Sequence, residues 1–169
     1  TALGLNANAA GARSVAVGVT STASSTDAIS IGFSSQAPGV YGISIGSDTG
    51  STGTDFNSEN ILIGRATGSG PQLGQMNVII GNNSLINANA QVMADVSTLT
   101  SVGHGALHDV ETASRCTSIG YESQYKNQTG VENTSVGQWS MYNNLDGIRN
   151  TAVGYLAMRS AFPVSNTDN

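Results

Sequence analysis

Charge is scarce in this chain: Lys and Arg together number 6, Asp and Glu 11, and the formal net charge is -5. So few cations, spread along the chain, cannot build the basic surface that phosphate binding requires, which excludes nucleic acid as a partner. Aromatic residues make up only 5% of the chain, too little bulk for an ordinary globular core. The single cysteine, Cys116, excludes an internal disulfide and a cysteine-based zinc cluster. No apolar run approaches the roughly 20 residues of a membrane-spanning helix, so no membrane insertion is expected. No basic-then-apolar leader opens the chain. Catalytic signatures are missing too: there is no Gly-x-Ser-x-Gly elbow, no phosphate-binding loop and no His-Glu-x-x-His. The sequence therefore reads as a non-enzyme that needs no cofactor.

What is present is glycine and small polar residues, with Gly alone at 21. Such a composition is typical of disorder, but a disordered chain has no reason to space its Val and Ile. Here they recur in one phrase: Asn150-Thr151-Ala152-Val153-Gly154, Asn133-Thr134-Ser135-Val136-Gly137, Cys116-Thr117-Ser118-Ile119-Gly120, and so on back to Ala2-Leu3-Gly4. Counted from Gly4, the phrase-ending glycines are spaced 14, 14, 14, 18, 17, 22, 17, 17 and 17 residues apart. Self-similarity at a short period is the mark of a solenoid, in which each coil is stabilised by its neighbours. The fold expected is all-β, a parallel β-roll or β-solenoid of 14- and 17-residue repeats. At ~4.8 Å per coil its body is roughly 50 Å long.

The chain divides as one repeat domain, 1–158, followed by a polar tail or linker, 159–169. Within residues 1–46 each 14-residue unit has two period-two stretches, such as Val15-Ala16-Val17 and Ser21-Thr22-Ala23, which is strand behaviour. Gly18 and Gly32 fall where the chain must turn, a role suited to positive φ. Residues 47–112 are less regular. Residues 47–60 and 68–74 read as loops, and 82–98 as an insertion with a turn of helix at 90–96. The phrase is most aliphatic in this section, at Ile61-Leu62-Ile63 and Val78-Ile79-Ile80, which implies cover on both faces and places Ile63 and Ile80 in a core. Residues 113–158 return to a strict 17-residue period, with Thr100, Thr117, Thr134 and Thr151 now at the first strand position. Such Thr side chains keep the β-branched shape but call for a hydrogen-bond partner at an interchain contact or a hydrated seam. A thin coil with few aromatics needs other chains to complete its core, so an oligomer is expected.

Several residues are candidates for chemistry. His104 and His108 are four apart, which suits zinc only on a helix, and the repeat puts them in or beside a strand segment. The acidic residues, Glu122 among them, are scattered and read as solvated charge. The aromatic residues are more ordered. His108, Tyr125, Tyr142 and Arg159 each stand five positions after a phrase-ending glycine, and His104, Tyr121, Gln138 and Tyr155 stand one after. In a parallel stack these positions form ladders at ~4.8 Å steps. Tyr121, Tyr125, Trp139, Tyr142 and Tyr155 are accordingly the candidate glycan contacts, since sugar C–H faces pack on aromatic rings. The alternative, which requires no ligand, is that these rings only staple adjacent coils. Trp139 lacks a counterpart in the neighbouring coils and reads as an interchain wedge or an exposed contact. Asn60, Asn77, Asn133 and Asn150 share one repeat position, where amides can bond along the stack. Cys116 fills the same slot and reads as a small buried thiol.

These motifs carry two resemblances. Arg13-Ser14-Val15-Ala16-Val17-Gly18 followed by Ser21-Thr22-Ala23 resembles the 14-residue head repeat of YadA-like trimeric autotransporter adhesins, which implies a left-handed parallel β-roll and a homotrimer. Asn150-Thr151-Ala152-Val153-Gly154-Tyr155-Leu156-Ala157-Met158 resembles a repeat of bacteriophage tail fibres and tailspikes. Residues 162–169 are similar to the linker that precedes a self-cleaving chaperone in such fibres, and the chain opens mid-repeat at Thr1, so it reads as a piece of a longer protein. The resemblance implies a structural and adhesive segment at the virion tail, a homotrimer that reaches or binds a bacterial surface polysaccharide. The alternatives it leaves are the head of a bacterial trimeric adhesin on the outer surface, and the non-catalytic stalk of an enzyme-bearing tailspike.

Overall fold

The computed structural model describes residues 1–50, 58–69, 73–86 and 96–159. They form an all-β parallel solenoid, with no helix among the described residues. One wall is a ten-stranded parallel sheet made of the recurring phrase: Ala2–Leu3 (β1), Val15–Val17 (β3), Ile29–Ile31 (β5), Ile43–Ile45 (β7), Ile61–Ile63 (β8), Val78–Ile80 (β9), Thr100–Val102 (β10), Thr117–Ile119 (β11), Thr134–Val136 (β12) and Thr151–Val153 (β13), paired in that order. Among the described residues a second strand wall is confined to the 14-residue coils, where Asn8–Ala9 (β2), Thr22–Ala23 (β4) and Gln36–Ala37 (β6) pair in parallel. Pairing is in repeat register throughout, Val15 on Ile29 and Thr100 on Thr117. Residues 90–95 of the helical turn expected at 90–96, and the central parts of the expected loops, lie outside the described residues.

Each three-residue strand turns its middle side chain inward and its two flanks outward. Ala16, Ser30, Ile79, Ser101, Ser118 and Ser135 are completely buried, whereas Ile31, Ile80 and Ile119 are more than one third exposed. This corrects the expectation that Ile63 and Ile80 lie in the core of the chain: the core residues are their neighbours Leu62 and Ile79. The reason is strand length. With only three residues between two corners, period-two alternation leaves a single inward position. The flanking residues instead form two parallel columns along the outside of the solenoid: the third position is Val, Ile or Leu in every strand from Leu3 to Val153, whereas the first is Val or Ile from Val15 to Val78 and then Thr100, Thr117, Thr134 and Thr151.

The glycine column that ends the phrase is dictated by stacking. At Gly120 φ is +133, a conformation L-residues rarely adopt. A Cβ there would lie 2.6 Å from the carbonyl oxygen of Gly137 in the next coil. The coils touch backbone to backbone at this corner, so only glycine fits.

Repeat length sets the width of the interior. The narrow coils enclose only small side chains, Ala16, Ala23, Ala28 and Ala37, together with serine hydroxyls such as Ser21 Oγ, which donates to the Ser30 carbonyl at 2.9 Å. The longer coils hold an aliphatic core that includes Leu62, Ile79, Leu85, Leu99, Leu107 and Val110. In these coils the wall after the glycine is not a strand. Residues 104–109, 121–126 and 138–143 are turns, which corrects the strand-like placement of His104 and His108. Two left-handed residues only two apart cause this, Glu122 at φ 49 and Gln124 at φ 48, repeated as Trp139 at φ 56 and Met141 at φ 50. The left-handed residue four after the glycine reverses the facing of the residue after it. Gln124 and Met141 are buried while Tyr125 and Tyr142 point out, whereas in the narrow coils Ala23, five after its glycine, points in.

Asparagine amides tie the coils together on the inside. Asn133 Oδ1 accepts the Asn150 N–H at 2.9 Å, and its amide donates to the Gly147 carbonyl at 2.6 Å. Asn60 and Asn77 form the same ladder in earlier coils, with Asn60 Oδ1 accepting the Asn77 N–H at 2.9 Å. Cys116, in the same column, is buried as expected, and burial pushes its thiol pKa up.

Candidate aromatic surface site

The turn wall of residues 104–159 gathers all five aromatic candidates on one side of the solenoid, in two columns. Five positions after each glycine, His108 stacks on Tyr125 with centroids 4.4 Å apart and planes 10° apart. Tyr125 stacks on Tyr142 at 5.1 Å and 8°. The column continues with the Arg159 guanidinium, 5.4 Å from the Tyr142 centroid. These separations reflect the ~4.8 Å rise of a parallel stack, which puts equivalent flat side chains at van der Waals distance.

The other column starts one position after the glycine, with His104 stacked on Tyr121 at 5.4 Å. The next coil offers Gln138 there, and Trp139 supplies the ring instead. It meets Tyr121 edge-on at 5.9 Å and 82°, then Tyr155 at 5.9 Å and 48°. Trp139 is half-buried within its own chain and stands between two tyrosines. The Arg159 guanidinium also lies 5.8 Å from the Trp139 centroid and so links the two columns.

No protein-family model, curated protein or solved structure matches this chain. Its chemistry is therefore read from the geometry alone.

The two columns differ in what they leave open. Tyr125 has His108 on one face and Tyr142 on the other, and Tyr142 is covered by Tyr125 and Arg159. Their rings join coils together, and only their edges and hydroxyls face outward. Tyr121 and Tyr155 are 43% and 65% exposed, and their tilted contacts with Trp139 leave ring surface available to a ligand. Carboxylates also act on this wall. The Tyr121 pKa is raised by a hydrogen bond to Glu122 and by its negative charge. Burial raises those of Tyr125 and Tyr142, with Asp109 next for Tyr125 and Glu122 next for Tyr142.

Other candidates separate. His104 and His108 belong to different columns, each stacked on its own tyrosine, and His108 Nδ1 lies 2.6 Å from Asp109 Oδ1. Among the described residues no group of three His, Cys, Asp or Glu side chains is placed to hold a metal. Glu122, which the sequence groups with scattered solvated charge, sits at the centre of the wall and accepts a hydrogen bond from Trp139 Nε1 at 2.8 Å. The signal that would have found it is its repeat position: two after the glycine, it aligns with Gly105, Trp139 and Leu156.

Proposed function

We propose that this chain is a homotrimeric structural and adhesive segment of a phage tail fibre or tailspike that reaches or binds a bacterial surface polysaccharide. The observation that carries this reading is the outward aliphatic stripe of the ten-stranded sheet, from Leu3 and Val17 through Ile31 and Ile80 to Ile119 and Val153. A continuous apolar face of this kind calls for a partner. A partner with the same rise per coil matches it rung for rung, and a second and third copy of the chain have that rise. The fibre resemblance supplies the number three. The aromatic turn wall lies on a different side of each coil, past the glycine corner, so a trimer built on the stripe leaves Tyr121, Trp139 and Tyr155 for the glycan, with Tyr125 and Tyr142 as staples.

Sedimentation at micromolar concentration tests the assembly: three times the chain mass of 17.2 kDa is expected, and a folded species at the chain mass refutes it. Binding of labelled protein to bacteria with and without their surface polysaccharide tests the adhesive role. A second reading, the head of a bacterial trimeric adhesin, is favoured by the narrow 14-residue coils at the N-terminal end. It predicts attachment to host matrix proteins instead. Assembly without attachment to either surface would leave a non-catalytic stalk.

A further inference from the structure

Glu122 is the carboxylate set against the Tyr121–Trp139–Tyr155 column. Its Oε2 accepts the Trp139 indole N–H at 2.8 Å, and its carboxylate is near enough to Tyr121 to raise that phenol's pKa, through hydrogen bonding and charge. Gly105, one coil earlier, makes room for it: a Cβ there would come within 3.2 Å of Glu122 Cγ and 3.4 Å of Tyr125 Cε2. Glu122 and Tyr125 therefore lie side by side over a position that has no side chain. Asp27 and Glu132 are held by basic side chains, by Arg13 at 2.6 Å and by Arg115 at 3.0 Å, whereas Asp48, Glu59 and Asp146 are exposed and take part in none of the described ion pairs. Among the described ion pairs Glu122 takes part in none, and the hydrogen bond its carboxylate accepts comes from an indole.

A carboxylate oriented by a neutral donor has little conformational freedom left to lose on binding. Ionised acceptors make hydrogen bonds roughly twice as strong as neutral ones. The same charge repels anions brought against it, which is how a site rejects a wrong partner. Set among Tyr121, Trp139 and Tyr155, such a group has the two elements that sugar recognition requires, a ring surface for C–H faces and an acceptor for hydroxyls.

We propose that Glu122 is the polar anchor and charge filter of this wall: it accepts hydrogen bonds from hydroxyls of a neutral glycan packed on Tyr121, Trp139 and Tyr155, and it repels uronate-bearing and other anionic glycans. This rests on the glycan-contact reading above. The test is surface plasmon resonance of the assembled protein on immobilised dextran, mannan and galactan beside polygalacturonate and hyaluronate, for wild type, Glu122→Gln and Trp139→Phe of matched melting temperature. Wild type is expected to hold at least one neutral polymer and neither polyanion. Glu122→Gln lowers neutral binding about 5-fold, the gap between a charged and a neutral acceptor, and admits the polyanions. Trp139→Phe keeps a ring but removes the N–H that orients Glu122, and it weakens neutral binding in the same direction. Unchanged binding and unchanged exclusion in Glu122→Gln overturn this inference and leave the glycan reading standing, as does equal binding of polyanions by wild type. Failure of wild type to hold any neutral polymer overturns this inference, and failure to hold any of the five polymers overturns both.

Discussion

Replacing Gly120 by Ala is a severe test of the stacking geometry, because the same substitution at Gly154 provides an internal control. Both glycines end the phrase and share the same backbone region, φ +133 and φ +127. Either alanine bears the cost of holding an L-residue there, about 1–3 kcal/mol. At Gly120 the new Cβ also meets the Gly137 carbonyl oxygen at 2.6 Å and carbon at 2.7 Å. That neighbour is fixed backbone, since the Gly137 N–H donates to the Ile119 carbonyl at 2.8 Å. The overpacking adds about 1–3 kcal/mol. At Gly154 the nearest described atom is Ala157 Cβ at 4.0 Å, an ordinary contact that adds nothing. Gly120→Ala is therefore expected to lose about 2–6 kcal/mol and Gly154→Ala about 1–3 kcal/mol. Against a typical stability of roughly 5–15 kcal/mol, the first variant approaches unfolding while the second remains well folded. Urea denaturation monitored by circular dichroism, at one fixed chain concentration because assembly shifts apparent stability, reads the difference. Equal midpoints for the two variants would refute the claim that the coils meet backbone to backbone at the glycine corner.

The same geometry gives other outcomes. Ile79→Ala, at a fully buried position, should cost about 2–5 kcal/mol in urea melts, whereas Ile80→Ala on the outer stripe should chiefly weaken assembly, seen as a rise in the sedimentation dissociation constant. Asn133→Ala strands the Asn150 N–H and the Gly147 carbonyl inside the stack, a loss of about 1–3 kcal/mol for each orphaned group. The Cys116 thiol, whose pKa burial raises, should resist a thiol reagent at neutral pH in the folded protein and react fully in denaturant. For Tyr121, Tyr125 and Tyr142 the folded pKa lies above the unfolded one. Their contribution to stability is thus complete below the free-tyrosine value of about 10 and is lost as pH rises through the folded values. Absorbance titration should show phenolate forming later in the folded protein than in denaturant, and Glu122→Gln should advance the ionisation of Tyr121.

The sequence by itself determined the architecture. The spacing of Val, Ile and Gly admitted only a stacked parallel coil, because a residue repeated at the coil period falls on its own copy one strand away. That is why the ladders of Asn60 with Asn77, of Asn133 with Asn150, and of Tyr125 with Tyr142 are legible in the repeat alone, and why Cys116 can be placed inside from it. Facing is less legible. Period-two alternation fixes which residues share a side but not which side is inward. The aliphatic runs at 61–63 and 78–80 carry apolar residues at every position, so they point to Ile63 and Ile80 for a core that Leu62 and Ile79 in fact occupy. In the 17-residue coils the wall after the glycine was decided by the tertiary structure alone. Left-handed backbone at Glu122, Gln124, Trp139 and Met141 has no propensity signature in a Glu, Gln, Trp or Met. These residues hold it because inter-coil hydrogen bonds, such as Gln124 N–H to the Ser140 carbonyl at 2.9 Å, fix the turn, and that conformation carries Tyr125 and Tyr142 outward and sets Trp139 against Glu122.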